Sequence, residues 1–445
     1  MTGQPARALT WTEAFALYTR PRIVAVLCMG FSSGLPLPLT FGTLSFWLAE
    51  AGVSRTTIGV FALVGTAYSL KFLWAPLIDR LGLGAWTRAL GRRRGWAFLI
   101  QGSLILAILN LGWTDPKIDP AATAHAAVIV AFLSASQDIV IDAYRIEMLT
   151  PEEQGAGAAA TQWGYRIGMM AASAGALYAA EYFGWHAAFA AMAGLMAVGM
   201  LTVLFTPEPE ASAHAMAPIP GDGPIAKAVG WTRGAVVGPF AEFAARPHWW
   251  LILVFVVTYK FGDALAGVMA NAFYVSTGFT RVQVANISKV FGVFATLGGV
   301  AAGGLFVARY GLYPSLLVCG ILQALSNLMY CVQAIAGNDP TLLWFTIGIE
   351  NFTGGMGSAA FVAYLSGLCN IAFTATQYAL LSSLATVGRT TLSAWGGWLA
   401  DQLDWVLFFA ATTFAAVPGI LLVLLLMKRF PNAGLPVDRK IVVDD

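Results

Sequence analysis

Ionisable side chains stand inside long apolar runs of this sequence, where each one needs a physical reason. Asp138 and Asp142 are four residues apart, so on a helix they share one face. Two neighbouring carboxylates disfavour each other's ionisation, and burial adds to this effect, so one of them can hold a proton near neutral pH. The spacing therefore predicts a site of reversible proton binding. A structural ion pair with Lys71 or Arg166 is the alternative.

A second group of charges lies in the C-terminal half of the sequence. Lys260 and Asp263 are three residues apart and can pair on one helix, either as a structural pair or as a cavity-facing pair that changes partners. Glu350 precedes Asn351 and the glycine-rich run 354–357, where small residues let helices approach closely or unwind. We take Glu350 as a third proton-coupling candidate, with a helix-packing hydrogen bond as the alternative.

The elements that carry these charges are apolar enough to cross a membrane. Of the 445 residues, 58% are hydrophobic and only 11% are charged, whereas a soluble domain carries about 25% charged residues. A helix needs about 20 apolar residues to span the hydrocarbon core. The runs predicted as spans are 22–48, 55–78, 95–114, 121–146, 154–180, 185–206, 247–275, 281–308, 311–336, 340–365, 371–400 and 403–427.

Charge asymmetry predicts the orientation of these spans. Lys and Arg concentrate before the first span, in the 80–94 connection, before the seventh span and after the last one. The positive-inside rule then predicts that both termini are cytoplasmic. The basic clusters consequently need no nucleic-acid partner. Residues 1–20 lack a cleavable signal pattern, and no His, Asp, Glu or Cys grouping has metal-ligand spacing, so we expect no metal site.

Short matches between the halves indicate an internal repeat. Arg20-Pro21 and Arg246-Pro247 open the first and seventh spans, and a Gly-x-Ser/Thr-Arg tetrapeptide follows each at the same offset. We predict an all-α integral membrane protein of twelve helices in two pseudo-repeated six-helix bundles. The N-terminal bundle is 1–206, the cytoplasmic linker is 207–246, and the C-terminal bundle with a short cytoplasmic tail is 247–445.

The connection after the second span resembles the signature loop of the major facilitator superfamily. It reads Asp79-Arg80-Leu-Gly82 and continues, after an insertion, to the basic cluster 91–95. The resemblance implies that Asp79 and Arg80 belong to a gating loop, in which a carboxylate caps a neighbouring helix end. A reduced copy at 304–311 has Arg309 but lacks the acidic residue.

Within that superfamily, the chain resembles the AmpG muropeptide permeases over nearly its whole length. The resemblance rests on YSLKFLWAPLIDR (68–80), QDIVIDAY (137–144), GYRIGM (164–169), YKFGDA (259–264), ENFTGGMG (350–357) and TATQYALLS (374–382). It implies proton-driven import of GlcNAc-1,6-anhydro-MurNAc and its peptides across the bacterial inner membrane, with the proton gradient as energy source and no cofactor. It also implies a role in peptidoglycan recycling and, indirectly, in β-lactamase induction and antibiotic resistance.

A muropeptide carries hydroxyls, amides, carboxylates and an amine, so its binding side chains should be amides, aromatic rings and both signs of charge. Many Trp and Tyr residues of membrane proteins are instead interfacial anchors. The substrate-binding candidates are Lys71, Gln137, Tyr144, Tyr165, Arg166, Tyr259, Lys260, Asp263, Asn271, Asn351, Asn370 and Gln377.

Three other readings are considered at the level of sequence. A major facilitator transporter for another organic solute, such as acetyl-CoA, a drug or a peptide, would share the fold. An integral-membrane acyltransferase would need a nucleophile or base with its partners at a span end, and the sequence shows no such grouping. A channel would need repeated polar filter segments, which the sequence also lacks. We expect a monomer that contacts membrane lipids and one small-molecule substrate.

Overall fold

The computed structural model describes residues 10–53, 61–209, 236–393 and 395–429, and the regular structure within them is helical. We call residues 10–209 the N-terminal part and residues 236–429 the C-terminal part. The N-terminal helices are α1 Trp11–Ala16, α2 Pro21–Gly34, α3 Pro36–Thr40, α4 Gly42–Glu50, α5 Thr66–Leu70, α6 Ala75–Arg80, α7 Ala85–Leu90, α8 Arg92–Trp113, α9 Pro120–Met148, α10 Gln154–Met170, α11 Ala176–Leu195 and α12 Ala197–Phe205. The C-terminal helices are α13 Gly238–Ala244, α14 Trp249–Thr258, α15 Phe261–Ser276, α16 Arg281–Val284, α17 Gly292–Tyr310, α18 Leu312–Ala336, α19 Pro340–Gly367, α20 Thr374–Ser393, α21 Trp395–Gln402 and α22 Trp405–Arg429.

Several helices are long and apolar enough to span a membrane. Among the described residues 8 stretches meet this condition, or up to 9 if the bent pair Pro340–Gly367 and Ile371–Gln402 is one span. One of the 8 is Pro151–Phe205, whose 55 residues are too long for a single crossing of a ~30 Å core. Gly184 interrupts it with a φ of 81°. The predicted number of twelve spans stays a prediction.

The division into two six-helix bundles also stays a prediction, since residues 210–235 of the predicted linker lie outside the described residues. The linker sequence predicts a short interfacial helix near 225–244; residues 225–235 lie outside the described residues, and the described remainder contains α13.

Breaks within the spans follow from local chemistry. Pro36 and Pro38 cannot donate to a preceding carbonyl, and the first span is accordingly divided into α2, α3 and α4. Lys260 leaves helical geometry at φ −101° and ψ 13°, between α14 and α15. A short 3₁₀ turn, Lys71–Leu73, separates α5 from α6. A charged residue thus lies at a backbone break in each part of the chain.

Glycines allow the closest helix contacts, and they do so in the same way in both parts. In the N-terminal part α2 packs on α10, and a Cβ at Gly164 or Gly168 would collide with the α2 backbone. In the C-terminal part α17 packs on α19, where a Cβ at Gly299 or Gly303 would collide with the α19 backbone. Small residues drive helix association in lipid because they let backbones approach.

The two parts meet along α10 and α17. A Cβ added at Gly155 would lie 2.8 Å from Cβ of Val307 and 2.9 Å from the carbonyl oxygen of Gly304. Farther along the same seam, the indole N–H of Trp163 donates to the Leu297 carbonyl at 2.7 Å. This contact brings α10 of the N-terminal part against the helices that carry Glu350 and Lys289.

Replacing Gly164 with Val tests the glycine packing. The new side chain meets backbone atoms of Leu27 and Phe31, which cannot rotate away. We therefore expect the free energy of unfolding to fall by about 1–3 kcal/mol. The measurement is the melting temperature and membrane abundance of the purified variant. Gly102→Val is the matched control, because no heavy atom lies within 4 Å of a Cβ there. If both variants lose the same stability, the lower helix propensity of valine explains the effect and the glycine packing does not.

Candidate functional site

Asp79 joins the two parts of the chain. This residue lies near the end of α6 and is 1% exposed. Its Oδ1 accepts hydrogen bonds from Arg93 at 2.8 Å and from the backbone N–H of Ala375 at 3.2 Å. Its Oδ2 accepts from the backbone N–H and the hydroxyl of Thr376 at 2.7 and 2.6 Å. The carboxylate therefore caps the N-terminus of α20, whose orphan N–H groups and positive dipole end favour an anion.

A buried charge network holds Asp79 in place. Arg93 is 0% exposed and donates through Nε to both oxygens of Glu147 at 3.1 Å, and through Nη2 to Oε1 at 2.5 Å. Arg92 also donates to the Asp79 carbonyl oxygen. Burial of such charges is tolerated because they neutralise one another, and removal of one member would leave the others uncompensated, at a cost of about 3–5 kcal/mol.

Other predicted site residues lie on the same side of the protein as Asp79. We call this side, which contains Asp79, Arg80, Tyr144, Asn370 and Gln377, the gate face. Arg80 places its guanidinium 5.0 Å from the Phe373 ring centroid. Gln377 is 1% exposed; it accepts from the Asn370 N–H at 2.7 Å and donates to Glu242 of α13 at 2.5 Å. The Tyr144 hydroxyl donates to the carbonyl of Pro207 at 2.6 Å. Asn370, Gln377 and Tyr144 thus bind protein groups of the gate face, and substrate contact by them stays a prediction.

Asp138 and Asp142 project from one face of α9, about one turn apart. Asp138 accepts a hydrogen bond from the Ser33 hydroxyl, and its charged neighbours are Lys71 and Asp142. Asp142 pairs with Arg145 at 3.5 Å. Within the described part of the chain, neither aspartate lies within ion-pair distance of Lys71 or Arg166, although Lys71 is a charged neighbour of Asp138, and the ion pair present joins Asp142 to Arg145.

Arg145 is the partner that sequence reasoning missed. It is 0% exposed, and apart from Asp142 its guanidinium faces the Tyr378 ring of α20 at 5.5 Å. The signal was present, since Arg145 follows Asp142 by three residues.

The remaining polar candidates of the N-terminal part surround Asp138. Lys71 is 8% exposed at the break between α5 and α6. Gln137 is 0% exposed and donates to the Ser32 carbonyl at 3.1 Å. Tyr165 of α10 has Asp138 and Arg166 as charged neighbours. Lys71 and Tyr165 are thereby brought to Asp138.

A cavity of about 270 Å³ lies mainly in the C-terminal part and collects several of the predicted residues. Glu350 accepts from the Asn351 amide at 2.7 Å, and Asn351 also accepts from Thr296 at 3.0 Å. Lys289 donates to the Asn271 amide oxygen at 3.2 Å. The lining residues are Arg166, Gly267, Ala270, Asn271, Tyr274, Ser288, Lys289, Val293, Thr296, Tyr330, Glu350 and Asn351.

The predicted pair of Lys260 and Asp263 is present next to this cavity, at 3.6 Å. Lys260 also donates to Gln323 at 2.9 Å and to the Gly354 carbonyl at 3.2 Å, and both members of the pair are charged neighbours of Glu350. Tyr259, by contrast, is in the core: its hydroxyl donates to the Leu316 carbonyl at 2.9 Å.

No group of three or more His, Cys, Asp or Glu residues suited to a metal occurs among the described residues. Among the described residues, the site consists of charged groups, amides and hydroxyls, and Asp79 links the two parts of the chain on the gate face. Such an arrangement can bind a polar solute and exchange protons between alternative partners.

Comparison with known proteins identifies the family. The chain is 40% identical over 415 residues to the anhydromuropeptide permease of Escherichia coli K12. The aligned region covers 93% of this chain and 81% of that protein. The chain belongs to the anhydromuropeptide permease (AmpG) family. A Rickettsia felis protein named as transporter AmpG 4 is 33% identical over 410 residues, or 92% of this chain and 97% of the relative. A family model described as acetyl-coenzyme A transporter 1 matches residues 23–180.

The fold of this AmpG-family chain is that of the major facilitator superfamily. The transporter FucP in its outward conformation aligns with a TM-score of 0.67 at 10% identity, covering 92% of this chain and 99% of FucP. The predicted all-α membrane fold and the prediction of a transporter rather than an enzyme are confirmed by these relatives. The chain is a multi-pass membrane transporter that takes a small-molecule substrate.

Removing the charge of Asp79 tests its role on the gate face. Asp79→Asn weakens the bond to Arg93 and the cap on α20, so we expect the parts to separate there more often. A cysteine at Ala379, which is 1% exposed where α20 packs on the N-terminal part, reports the opening, with the four native cysteines replaced by serine. We expect its maleimide labelling to rise about tenfold or more, as a change of 1.4 kcal/mol would give.

The matched control is Asp115→Asn, which removes an exposed carboxylate whose acceptor role is to the Lys117 N–H in a connecting turn. Its labelling rate should equal that of the parent. Unchanged labelling in Asp79→Asn, in protein that is folded and in the membrane, would contradict a gating role for this carboxylate.

Proposed function

We propose that this protein imports GlcNAc-1,6-anhydro-MurNAc and its peptides across the bacterial inner membrane in symport with protons. The observation that carries the proposal is 40% identity to an anhydromuropeptide permease over 93% of the chain. Support from the fold is separate: one structural neighbour with a TM-score of 0.65 is a fucose:proton symporter. The import would serve peptidoglycan recycling, and through it β-lactamase induction.

The charges inside the spans supply a physical basis for proton coupling. Asp138 lies beside Asp142 and Lys71, and Glu350 lies beside Asp263 and Lys260. An isolated charge in the membrane costs at least about 2.5–3.5 kcal/mol, so protonation and partner exchange are ways to lower this cost as the surroundings change. We assign proton coupling to these carboxylates and cargo binding to the Glu350 cavity, which lies mainly in the C-terminal part and is also lined by Arg166.

We further propose that both termini and the gate face are cytoplasmic. The excess of Lys and Arg on that side supports this orientation. Interlocking of Asp79 with α20 then closes the cytoplasmic side, and the cavity that contains Glu350 receives cargo from the periplasm. Opening of the gate face would release it to the cytoplasm, which is alternating access by two halves rocking around a fixed site.

Acetyl-CoA is the second candidate cargo, because the matching family model covers residues 23–180. That stretch includes Asp79, Asp138 and Arg166 but excludes Lys289 and Glu350 of the cavity. Competition by acetyl-CoA against muropeptide uptake separates the two candidates.

Uptake into proteoliposomes tests the main proposal. Saturable accumulation of labelled GlcNAc-1,6-anhydro-MurNAc-tripeptide is expected when the outside is acidic, and it should fall about tenfold or more when the proton gradient is collapsed. Absence of saturable uptake would overturn the cargo. Uptake that ignores the gradient would overturn only the coupling.

Neutralising the α9 carboxylates tests their part in coupling. Asp138→Asn and Asp142→Asn should each lower gradient-driven uptake about tenfold or more while membrane abundance is unchanged, because neither amide can exchange a proton at this position. Asp119→Asn is the control on the same helix: Asp119 caps its exposed start, and Asn caps equally well. Wild-type rates in both test variants would remove α9 from the coupling mechanism.

A further inference from the structure

Two cations line the Glu350 cavity without a carboxylate partner among the residues that the structure describes. Arg166 comes from α10 of the N-terminal part, and within the described residues it forms no ion pair. Lys289 comes from the C-terminal part, and the bond from its Nζ goes to a neutral acceptor, the Asn271 amide oxygen at 3.2 Å. Both are exposed residues that line the cavity, and a cation that faces a cavity is stabilised when an anion or water compensates it. Both side chains therefore present positive charge to whatever occupies the cavity.

Glu350 faces the same space but pairs with neither cation at ion-pair distance; its hydrogen bond comes from Asn351 at 2.7 Å. The other groups that face it belong to neighbouring helices. Lys260 and Asp263 pair with each other at 3.6 Å and so contribute little net charge. Tyr274 and Tyr330 are further titratable neighbours of Glu350, and their hydroxyls lie 3.0 Å apart.

The charge balance of the cavity consequently depends on one proton. With Glu350 ionised, Arg166 and Lys289 leave one net positive charge; with Glu350 protonated, they leave two. An anion in the cavity is therefore held more firmly when Glu350 carries a proton. By reciprocity, the bound anion must raise the affinity of Glu350 for that proton by the same factor.

The backbone around the two cations is also unusual. Lys289 lies within a π-helical segment, Ala285–Phe291, and Arg166 precedes another, Ala171–Gly175, by five residues. Single π-turns inside helices occur frequently at functional sites, because they redirect side chains and are easily rearranged. Since the two cations belong to different parts of the chain, one anion bound by both would connect those parts.

We propose that Arg166 and Lys289 form a carboxylate clamp, which binds an acidic group of the cargo while Glu350 holds the coupled proton in the same cavity. The identity of the cargo rests on the proposed function. The expectation that the cargo carries a carboxylate rests on the two cations that line the cavity. A guanidinium offers two parallel N–H donors to a carboxylate, and the lysine adds a point charge. The clamp thus makes proton and anion bind together.

The test compares two forms of one cargo in proteoliposomes. These are GlcNAc-1,6-anhydro-MurNAc-tripeptide and the same molecule with its carboxylates converted to primary amides. Wild type should prefer the acid by about tenfold or more in KM, as expected for a charge-assisted hydrogen bond. Arg166→Gln and Lys289→Gln should each reduce this preference to about twofold, whereas Lys117→Gln, at an exposed turn, should keep it. Lys289→Arg should retain most of it.

Glu350→Gln provides the second measurement. This variant should bind the acid form with an affinity that no longer changes with external pH, because the neutral state is fixed and the Asn351 contact is retained. A pH dependence equal to that of wild type would overturn the role of Glu350. Equal loss of acid and amide uptake in Arg166→Gln and Lys289→Gln would overturn the clamp.

A failure of the proposed function can be told apart from a failure of the clamp. If wild type takes up neither form, the assigned cargo is wrong. The melting temperature of purified protein with added sugars then tests the clamp separately. N-acetylmuramic acid should raise the melting temperature of wild type more than N-acetylglucosamine does, and this difference should vanish in Arg166→Gln. Equal effects of the two sugars on wild type would overturn the clamp in that case.

Discussion

The architecture depends on the low tolerance of a membrane interior for an uncompensated charge. Asp79 shows the consequence most clearly: its carboxylate is almost fully buried, yet it has Arg93 on one side and the N-terminus of α20 on the other. Each partner is stabilised by the same anion, so neither can leave without exposing an unpaired group. This constraint turns one side chain into a connection between two parts of the chain.

The same constraint acts in the interior with a different result. Asp138 accepts a hydrogen bond from Ser33 and Asp142 pairs with Arg145, whereas Arg166 and Lys289 face a cavity with no carboxylate of the described residues at ion-pair distance. A fully compensated group such as Asp79 fixes a conformation, and an incompletely compensated group favours a charged ligand. The structure therefore distinguishes the closed ion network of Asp79, Arg93 and Glu147 from a cavity that presents cations to a ligand.

Much of the fold could be predicted from the sequence, because hydropathy, charge asymmetry and small-residue spacing are properties of single segments. The Lys260–Asp263 pair was also predictable, since a spacing of three residues fixes neighbours on one helix. The pairing of Asp142 with Arg145 was not predicted, although Arg145 has the same spacing, because the choice among three nearby cations depends on how α9, α10 and the α5–α6 break pack together.

By itself, the sequence determined that this is a helical membrane transporter, which of its charges are costly, and to which family it is similar. Tertiary structure alone decided which of those charges meet. Asn370 and Gln377 lie on the gate face rather than in the cavity, and Lys289 joins Arg166 across more than one hundred residues of chain. The physical reason is that periodicity fixes neighbours within a helix, whereas contacts between helices depend on backbone approach, here allowed by glycines such as Gly155 and Gly304.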